Sequence, residues 1–178
     1  FTIVEEGFAP KTFTFAFTST NAAVIPASAL SAVSTGGDGY VVNGTPVGNA
    51  SGQTEITVFA TNAFAQVVSG KFTVNVTSVD DPPTITQVAN QTVYSGEATA
   101  PVPFDYGDAE TAKKDVKVEI STTNAALVPT NNVIQIGNTL TIAPVGNEVG
   151  QTEITIRVTD SGGQSAKTTF TVDVVPAL

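Results

Sequence analysis

The sequence predicts an all-β protein built from two tandem β-sandwich domains. Three observations carry the prediction: a phrase of thirteen residues that occurs twice, an apolar period of two, and the lack of any helical stripe. "PVGNASGQTEITV" at 46–58 and "PVGNEVGQTEITI" at 144–156 lie 98 positions apart and share ten of thirteen residues. A repeat of about 100 residues in a chain of this length predicts two domains.

The apolar alternation places the strands one by one. "KTFTFAFTST" puts Phe13, Phe15 and Phe17 on one face, as a half-buried strand requires. The second half contains seven such segments, near residues 84–94, 100–106, 115–123, 132–136, 138–143, 152–160 and 166–175. Seven short strands with Gly, Asn and Pro turns between them are typical of an antiparallel immunoglobulin-like sandwich with Greek-key connections. The repeated phrase is then a turn followed by the start of a core strand.

Composition excludes several classes of function. The chain has no Cys and no His, which removes disulfides, the usual zinc sites and every His-dependent catalytic triad, so we expect no enzyme. With seven basic residues and a net charge of -9, no basic patch is available for nucleic acid. No apolar run approaches twenty residues, so no membrane span is expected. Cations are the favoured small partners.

Four segments together resemble a known family. "VTSVDDPPTI", "YGDAET", "TNAALVP" and "IRVTDSGGQSAKTTFTVDV" are similar to the tandem immunoglobulin-like and cadherin-like repeats of bacterial surface proteins. The likeness covers all of the second half and most of the first. It implies a bacterial protein that is extracellular or at the cell surface, repetitive and structural. We place the first domain at 1–78, a Pro-rich acidic linker at 79–83 and the second domain at 84–178.

The start of the first copy allows two alignments. At an offset of 103, Phe1 aligns with Phe104 and Phe13 with Val116, so the first domain lacks its first strand. At an offset of 89, Gly7 aligns with Gly96, and fourteen residues are deleted after a short first strand. We prefer the first alignment because it keeps a whole strand alternation.

An incomplete sandwich should take a strand from elsewhere. Strand donation from one copy to the next is head to tail and does not close on itself, so it predicts a homopolymer. The alternative is that the chain is a segment of a longer array.

Acidic residues gather at the linker and at two loops of the second domain. In a seven-strand sandwich, the loops after the second and sixth strands lie at the end where the chain enters. The acids that we expect to converge there are Asp80, Asp81, Asp108, Glu110 and Asp160. Carboxylates brought together in this way suit calcium, which takes six to eight oxygens, and the resemblance implies calcium at such junctions. The first domain departs from the pattern with Asn62 in place of Asp160. The alternative is that these acids are solvated and keep the surface soluble.

These expectations lead to one function and one alternative. The first is a non-enzymatic structural subunit or segment of an extracellular filament, stalk or surface layer, held together by sandwich contacts and strand donation. The alternative is an adhesin spacer, or a ligand- or carbohydrate-binding module of a larger secreted protein. Carbohydrate binding usually uses planar aromatic platforms, and a chain with no Trp and three Tyr favours the structural function.

Overall fold

The computed structural model describes residues 13–37 and 39–177. The chain divides into two compact units, Phe1–Val79 and Asp80–Leu178, which we call unit 1 and unit 2. Regular structure in the described ranges consists of β-strands and three single-turn 3₁₀ helices. The predicted all-β sandwich fold is confirmed. In the same ranges, no helix has the length and apolar character that crossing a membrane requires.

The described part of unit 1 contains five strands in two sheets. They are β1 (Thr14–Ser19), β2 (Leu30–Gly36), β3 (Gly39–Gly44), β4 (Gly52–Thr61) and β5 (Val67–Val76). One sheet has the order β1-β4-β5 and the other is the β2-β3 hairpin. A 3₁₀ turn at Ala27–Ala29 leads into β2.

In unit 2, residues 80–177 contain nine strands. They are β6 (Thr84–Ile85), β7 (Gln91–Tyr94), β8 (Val102–Pro103), β9 (Tyr106–Gly107), β10 (Lys117–Thr122), β11 (Val133–Ile136), β12 (Thr139–Ile142), β13 (Gly150–Thr159) and β14 (Ser165–Val175). The sheets have the orders β10-β13-β14-β7, β11-β12-β8 and β6-β9. The 3₁₀ turns are Lys113–Asp115 and Thr130–Asn132. All seven segments expected in the second half contain strand.

The core of unit 2 lies on one face of the long β13-β14 hairpin. Alternate residues of β13, such as Ile154 and Ile156, are completely buried, as the period of two predicts. Leu140 of β12 and Val128 meet this face and are equally inaccessible. Each such side chain contributes roughly 1.5–3 kcal/mol through its burial, so the hairpin face is the main source of stability in unit 2.

Strand pairing follows the same register in both units. Phe17 lies opposite Val58 in the β1-β4 pair, and Ile120 lies opposite Ile156 in the β10-β13 pair. Strand β1 therefore corresponds to β10 at an offset of 103 residues, whereas β4 corresponds to β13 at an offset of 98. The alternative offset of 89 would place Phe15 on Phe104, but Phe15 lies opposite Ala60 as Val118 lies opposite Val158.

The repeated phrase has a structural reason in a buried threonine. Thr54 and Thr152 are 1% and 2% exposed, and each hydroxyl lies at the end of the neighbouring strand. Thr152 Oγ1 is 2.8 Å from Thr122 Oγ1 and accepts from the N–H of Asn124 at 3.0 Å. Ser19 and Asn21 make the equivalent bonds to Thr54 at 2.8 and 3.1 Å. The threonine fixes the turn that leaves the first strand of each pair, because a buried polar group must be satisfied.

Removing a core side chain of β13 should destabilise unit 2 strongly. For Ile156→Ala we expect the free energy of unfolding of unit 2 to fall by about 2–5 kcal/mol, because the substitution leaves a cavity in a fully buried position. Ile134→Ala is the matched control, since Ile134 is 53% exposed, and we expect a change within about 0.5 kcal/mol. Hydrogen exchange of the β13 amides measures the difference. Equal losses in the two variants would contradict the assignment of the core.

Candidate functional site

The first candidate site is a loop of unit 2 that holds a buried carboxylate. Asp160 follows β13 directly and is 7% exposed. Its Oδ1 accepts from the N–H of Gln164 at 2.8 Å, and its own N–H donates to the carbonyl of Gln164 at 3.1 Å. These two bonds close the tight turn between β13 and β14 and hold the carboxylate under it.

A second acidic loop, after β9, is tied to the first by two hydroxyls. Asp108 Oδ1 accepts from the N–H groups of Glu110 at 2.9 Å and Thr111 at 2.5 Å, which makes a local turn around the carboxylate. Thr111 is buried; its Oγ1 lies 2.9 Å from Ser161 Oγ and accepts from the N–H of Ser161 at 3.2 Å. The loop after β9 and the loop after β13 therefore form one hydrogen-bonded surface.

The acids at the start of unit 2 join the same network. The Nε2 of Gln164 donates to the carbonyl of Asp80 at 2.6 Å and to its Oδ2 at 3.1 Å. The N–H of Asp81 donates to Glu110 Oε2 at 3.3 Å. A Cβ at position 162 would overlap the Asp80 carboxylate. The carboxylate therefore occupies space that is free only because residue 162 is glycine, and we call this space the seat of Asp80.

The structure thus links all five acids of the sequence-based prediction through hydrogen bonds within unit 2. Two carboxylate oxygens in this network, Asp108 Oδ2 and Asp160 Oδ2, are buried and have no hydrogen-bond partner. A buried polar atom left without a partner costs about 1–3 kcal/mol, and more when it is charged. Such oxygens suit a cation, which satisfies carboxylates that the protein leaves unpaired.

The acidic side chains nevertheless do not form a complete set of metal ligands in the described residues. Over residues 13–37 and 39–177, no group of three or more acidic side chains is placed to hold a metal ion. The described residues therefore supply two buried, unpaired oxygens, on Asp108 and Asp160. Asp80, Asp81 and Glu110 form the rim of the site, where hydrogen bonds connect them to the two loops. The prediction of a calcium site at Asp80, Asp81, Asp108, Glu110 and Asp160 stays a prediction.

The corresponding loop of unit 1 has different chemistry. Asn62 Oδ1 accepts from the N–H of Phe64 at 3.0 Å and of Gln66 at 2.9 Å, while its Nδ2 donates to Gln66 Oε1 at 2.8 Å. The amide thus closes its turn without a charge. Phe64 occupies the position of Gly162 and is 83% exposed, and Ala65 takes a positive φ of 60° where unit 2 has Gly163. This loop has no seat like that of Asp80.

The second candidate site is an apolar groove in unit 1. Its volume is about 480 Å³, and it is lined by residues of β3, β4 and β5: Tyr40, Val41, Val42, Val58, Gly70, Lys71 and Phe72. The rings of Phe13 and Phe15 contact Tyr40 at centroid distances of 5.9 and 4.7 Å, so the start of β1 lies at this groove. It runs between the two sheets of unit 1.

Two sheet edges that strands cover in unit 2 are uncovered among the described residues of unit 1. In unit 2, β7 covers the edge of β14 and β8 covers the edge of β12. Among the described residues of unit 1, the corresponding edges of β5 and β3 have no strand beside them. Phe72 is 37% exposed, whereas its equivalent Phe170 is 2% exposed.

Sequence reasoning missed the residues that organise the acidic site. Thr111, Ser161 and Gln164 connect the acids, yet none is acidic and each belongs to a residue type common in this chain. The recurrence of Gln66 and Gln164 at equivalent loop positions was the available signal.

Two carboxyls outside the acidic site have perturbed ionisation. A hydrogen bond from Lys113 lowers the pKa of Asp105, and one from Lys117 lowers the pKa of Glu119. Both carboxyls are exposed, and solvent screens such pairs, so they add little to stability.

Comparison with known proteins identifies the fold. No protein-family model matches the sequence, and no curated protein does. Among solved structures, Protocadherin Gamma B2 extracellular cadherin domains 1-5 match at 16% identity with a TM-score of 0.53, covering 93% of this chain and 33% of that chain. Human CDH23 EC21-23 matches at 15% identity with a TM-score of 0.52, covering 90% of this chain and 58% of that one. Protocadherin Gamma B2 domains 3-6 match at 14% identity with a TM-score of 0.51, covering 92% and 41%.

These likenesses concern the fold alone, because the identities are low. The chain has the fold of cadherin-like β-sandwich repeats, in agreement with the resemblance drawn from its sequence. It spans 33–58% of the lengths of these three proteins.

A side chain at position 162 should disturb the acidic site without affecting the core. In Gly162→Ala, the new methyl group overlaps the Asp80 carboxylate and should break its bond to Gln164. We expect a shift in the NMR signals of Asp80 and Gln164 and a stability change of less than about 1 kcal/mol. Gly107→Ala is the control, since a Cβ there meets nothing within 4 Å. Unchanged Asp80 signals in Gly162→Ala would contradict the described seat.

Proposed function

We propose that this chain is a non-enzymatic extracellular structural protein of a bacterial surface, a subunit or segment of a filament, stalk or surface layer. The cadherin-like sandwich fold supports an adhesive or structural role, and two of the similar structures are described as extracellular domains. The observation that supports polymer formation is the apolar groove of unit 1. One wall contains Val41 and Val42, whose equivalents in unit 2, Thr139 and Leu140, pair with β8. The other contains Gly70, Lys71 and Phe72, and in unit 2 the equivalents of the first two, Thr168 and Thr169, are hydrogen-bonded by Val88 and Gln87.

A strand docked into this groove would recover a large share of stability. It would bury three or four inward side chains at roughly 1.5–3 kcal/mol each, about 5–12 kcal/mol in total. That is comparable with the whole stability of a small domain, about 5–15 kcal/mol. A strand supplied by the next copy, head to tail, builds a homopolymer.

The polymer makes a direct prediction about the purified chain. We expect its mass to rise with concentration in light scattering and ordered filaments to be visible by electron microscopy. Phe72→Asp should abolish this assembly, because Phe72 lines the groove and a charge there opposes a docked apolar strand. Val33→Asp should leave it intact, since Val33 is 53% exposed and does not line the groove. A chain that stays monomeric at every concentration would falsify the homopolymer.

We propose in addition that unit 2 binds calcium at its acidic network. Asp108 and Asp160 would supply the buried oxygens that have no partner, and Asp80, Asp81 and Glu110 would supply the rim. A bound calcium ion adds positive charge that offsets the repulsion among these carboxylates. The residues Thr111, Ser161 and Gln164 hold the two loops and the entering segment in place for it.

Calcium should therefore stabilise unit 2. A ligand that binds only the folded state adds about 2.7 kcal/mol at a hundredfold excess over its Kd, and calorimetry with and without calcium measures the rise in Tm. Asp160→Asn should lose this increment, because it removes the buried charge. Asp173→Asn is the control, since Asp173 lies on β14 and accepts from Gln151 outside the network. If calcium leaves the Tm of the unmodified chain unchanged, the proposed calcium site is wrong.

A further inference from the structure

The edge of β1 that faces away from β4, which we call its outer edge, lacks the charges of its equivalent in unit 2. β1 and β10 each lie at the end of a sheet, and among the described residues each pairs with one strand. On β10, Lys117 and Glu119 are exposed and form an ion pair at 2.7 Å. At the offset of 103, Thr14 and Ala16 occupy these two positions of β1. Charged side chains commonly protect an edge strand from pairing with another chain, so β1 lacks a protection that β10 has.

The backbone of β1 also has hydrogen-bonding groups at this outer edge. The N–H of Thr20 donates to the carbonyl of Glu55 at 3.1 Å, so these two residues form a hydrogen-bonded pair. In an antiparallel ladder such pairs recur at every second residue, so the even-numbered residues of β1 direct their N–H and carbonyl groups to β4. Phe15 and Phe17 direct theirs to the outer edge. In the part of the chain that the structure describes, no strand lies beside that edge, so an added strand can pair there.

The sequence of β1 is suited to pairing with a second copy of itself. When two β1 strands lie antiparallel about a twofold axis through Ala16, Phe15 of each copy lies opposite Phe17 of the other. Thr14 then lies opposite Thr18, so the register uses nearly the whole strand. The half-buried phenylalanines stay on the core side of the joined sheet, where aromatic pairs across strands are favourable. The exposed threonines stay on its outer side.

We propose that the outer edges of β1 from two copies pair in this register and join their sheets into one. The joined sheet has six strands, in the order β5-β4-β1 followed by β1-β4-β5 of the second copy. The contact is isologous, because both copies use the same edge, and it closes after two copies. It goes beyond the proposed function, since it does not use the groove and joins two head-to-tail polymers side by side.

A variant that does not form the polymer isolates this contact. Phe72→Asp blocks the groove, and Phe72 lies on β5, which β4 separates from β1. We expect this variant to be dimeric in analytical ultracentrifugation. Adding Ala16→Glu should raise the dissociation constant of the dimer about fivefold, because two carboxylates then lie directly opposite each other across the twofold axis. Unit 2 has Glu119 at the equivalent position, so the fold accepts this residue. Ala16→Gln is the matched control, and we expect a change of less than about twofold.

Disulfide formation tests the register in the otherwise unmodified chain, which has no cysteine. Ala16 is exposed and lies opposite Ala16 of the second copy, at a pair without backbone hydrogen bonds, where the two Cα atoms are about 4.5 Å apart. That distance suits a disulfide, so Ala16→Cys should give a covalent dimer under mild oxidation. Thr18→Cys is the control, since Thr18 is also exposed but lies four residues along the strand, about 13 Å, from Thr18 of the second copy.

The outcomes separate this inference from the proposed polymer. If Phe72→Asp is monomeric at every concentration, the edge contact is wrong and the polymer is unaffected. If the unmodified chain forms dimers but no filaments, and crosslinks through position 16, the edge contact is correct and the polymer is wrong. Equal crosslinking at positions 16 and 18 contradicts the register. Protection of the Phe15 and Phe17 amides from hydrogen exchange in the monomer also overturns the inference, because the chain then covers this edge itself.

Discussion

The coverage of one hairpin face is the constraint on which each unit depends. The β4-β5 hairpin in unit 1 and the β13-β14 hairpin in unit 2 carry the most regular apolar alternation of the chain. A sheet with one apolar face must bury it against another element, and the second sheet covers only part of that face. In unit 2, the segment that precedes β10 covers the remaining part of the apolar face. In unit 2, Val88, Val93, Val102 and Phe104 of this preceding segment share the core with Phe170, which is 2% exposed, whereas Phe72 is 37% exposed.

The two units therefore differ most at their edges and loops, although their hairpins share one register. In unit 2, the segment from Asp80 to Gly107 both closes the sandwich and brings carboxylates to the loop at Asp160. The closure of the core and the assembly of the acidic network are consequences of the same segment. Within residues 13–37 and 39–79, no strand pairs with β5 as β7 pairs with β14, and Asn62 stands where unit 2 has Asp160.

Much of this fold could be predicted because period-two patterns report directly on which face is buried. The repeat phrase located β4 and β13, and the alternation of Phe13, Phe15 and Phe17 located β1. The convergence of loops after the second and sixth strands followed from sandwich topology alone. Side-chain detail did not follow: the bridge from Thr111 to Ser161 and the unpaired oxygens of Asp108 and Asp160 depend on loop conformations that no periodicity encodes.

The parallel pairing of β7 with β14 also bears on mechanics. These strands lie near the two ends of unit 2, and tension applied through the chain ends pulls them along their own axes in opposite directions. The bonds between them are then sheared together and share the load, whereas an antiparallel hairpin pulled from its open end would peel apart one bond at a time. This geometry predicts that unit 2 resists stretching along its chain.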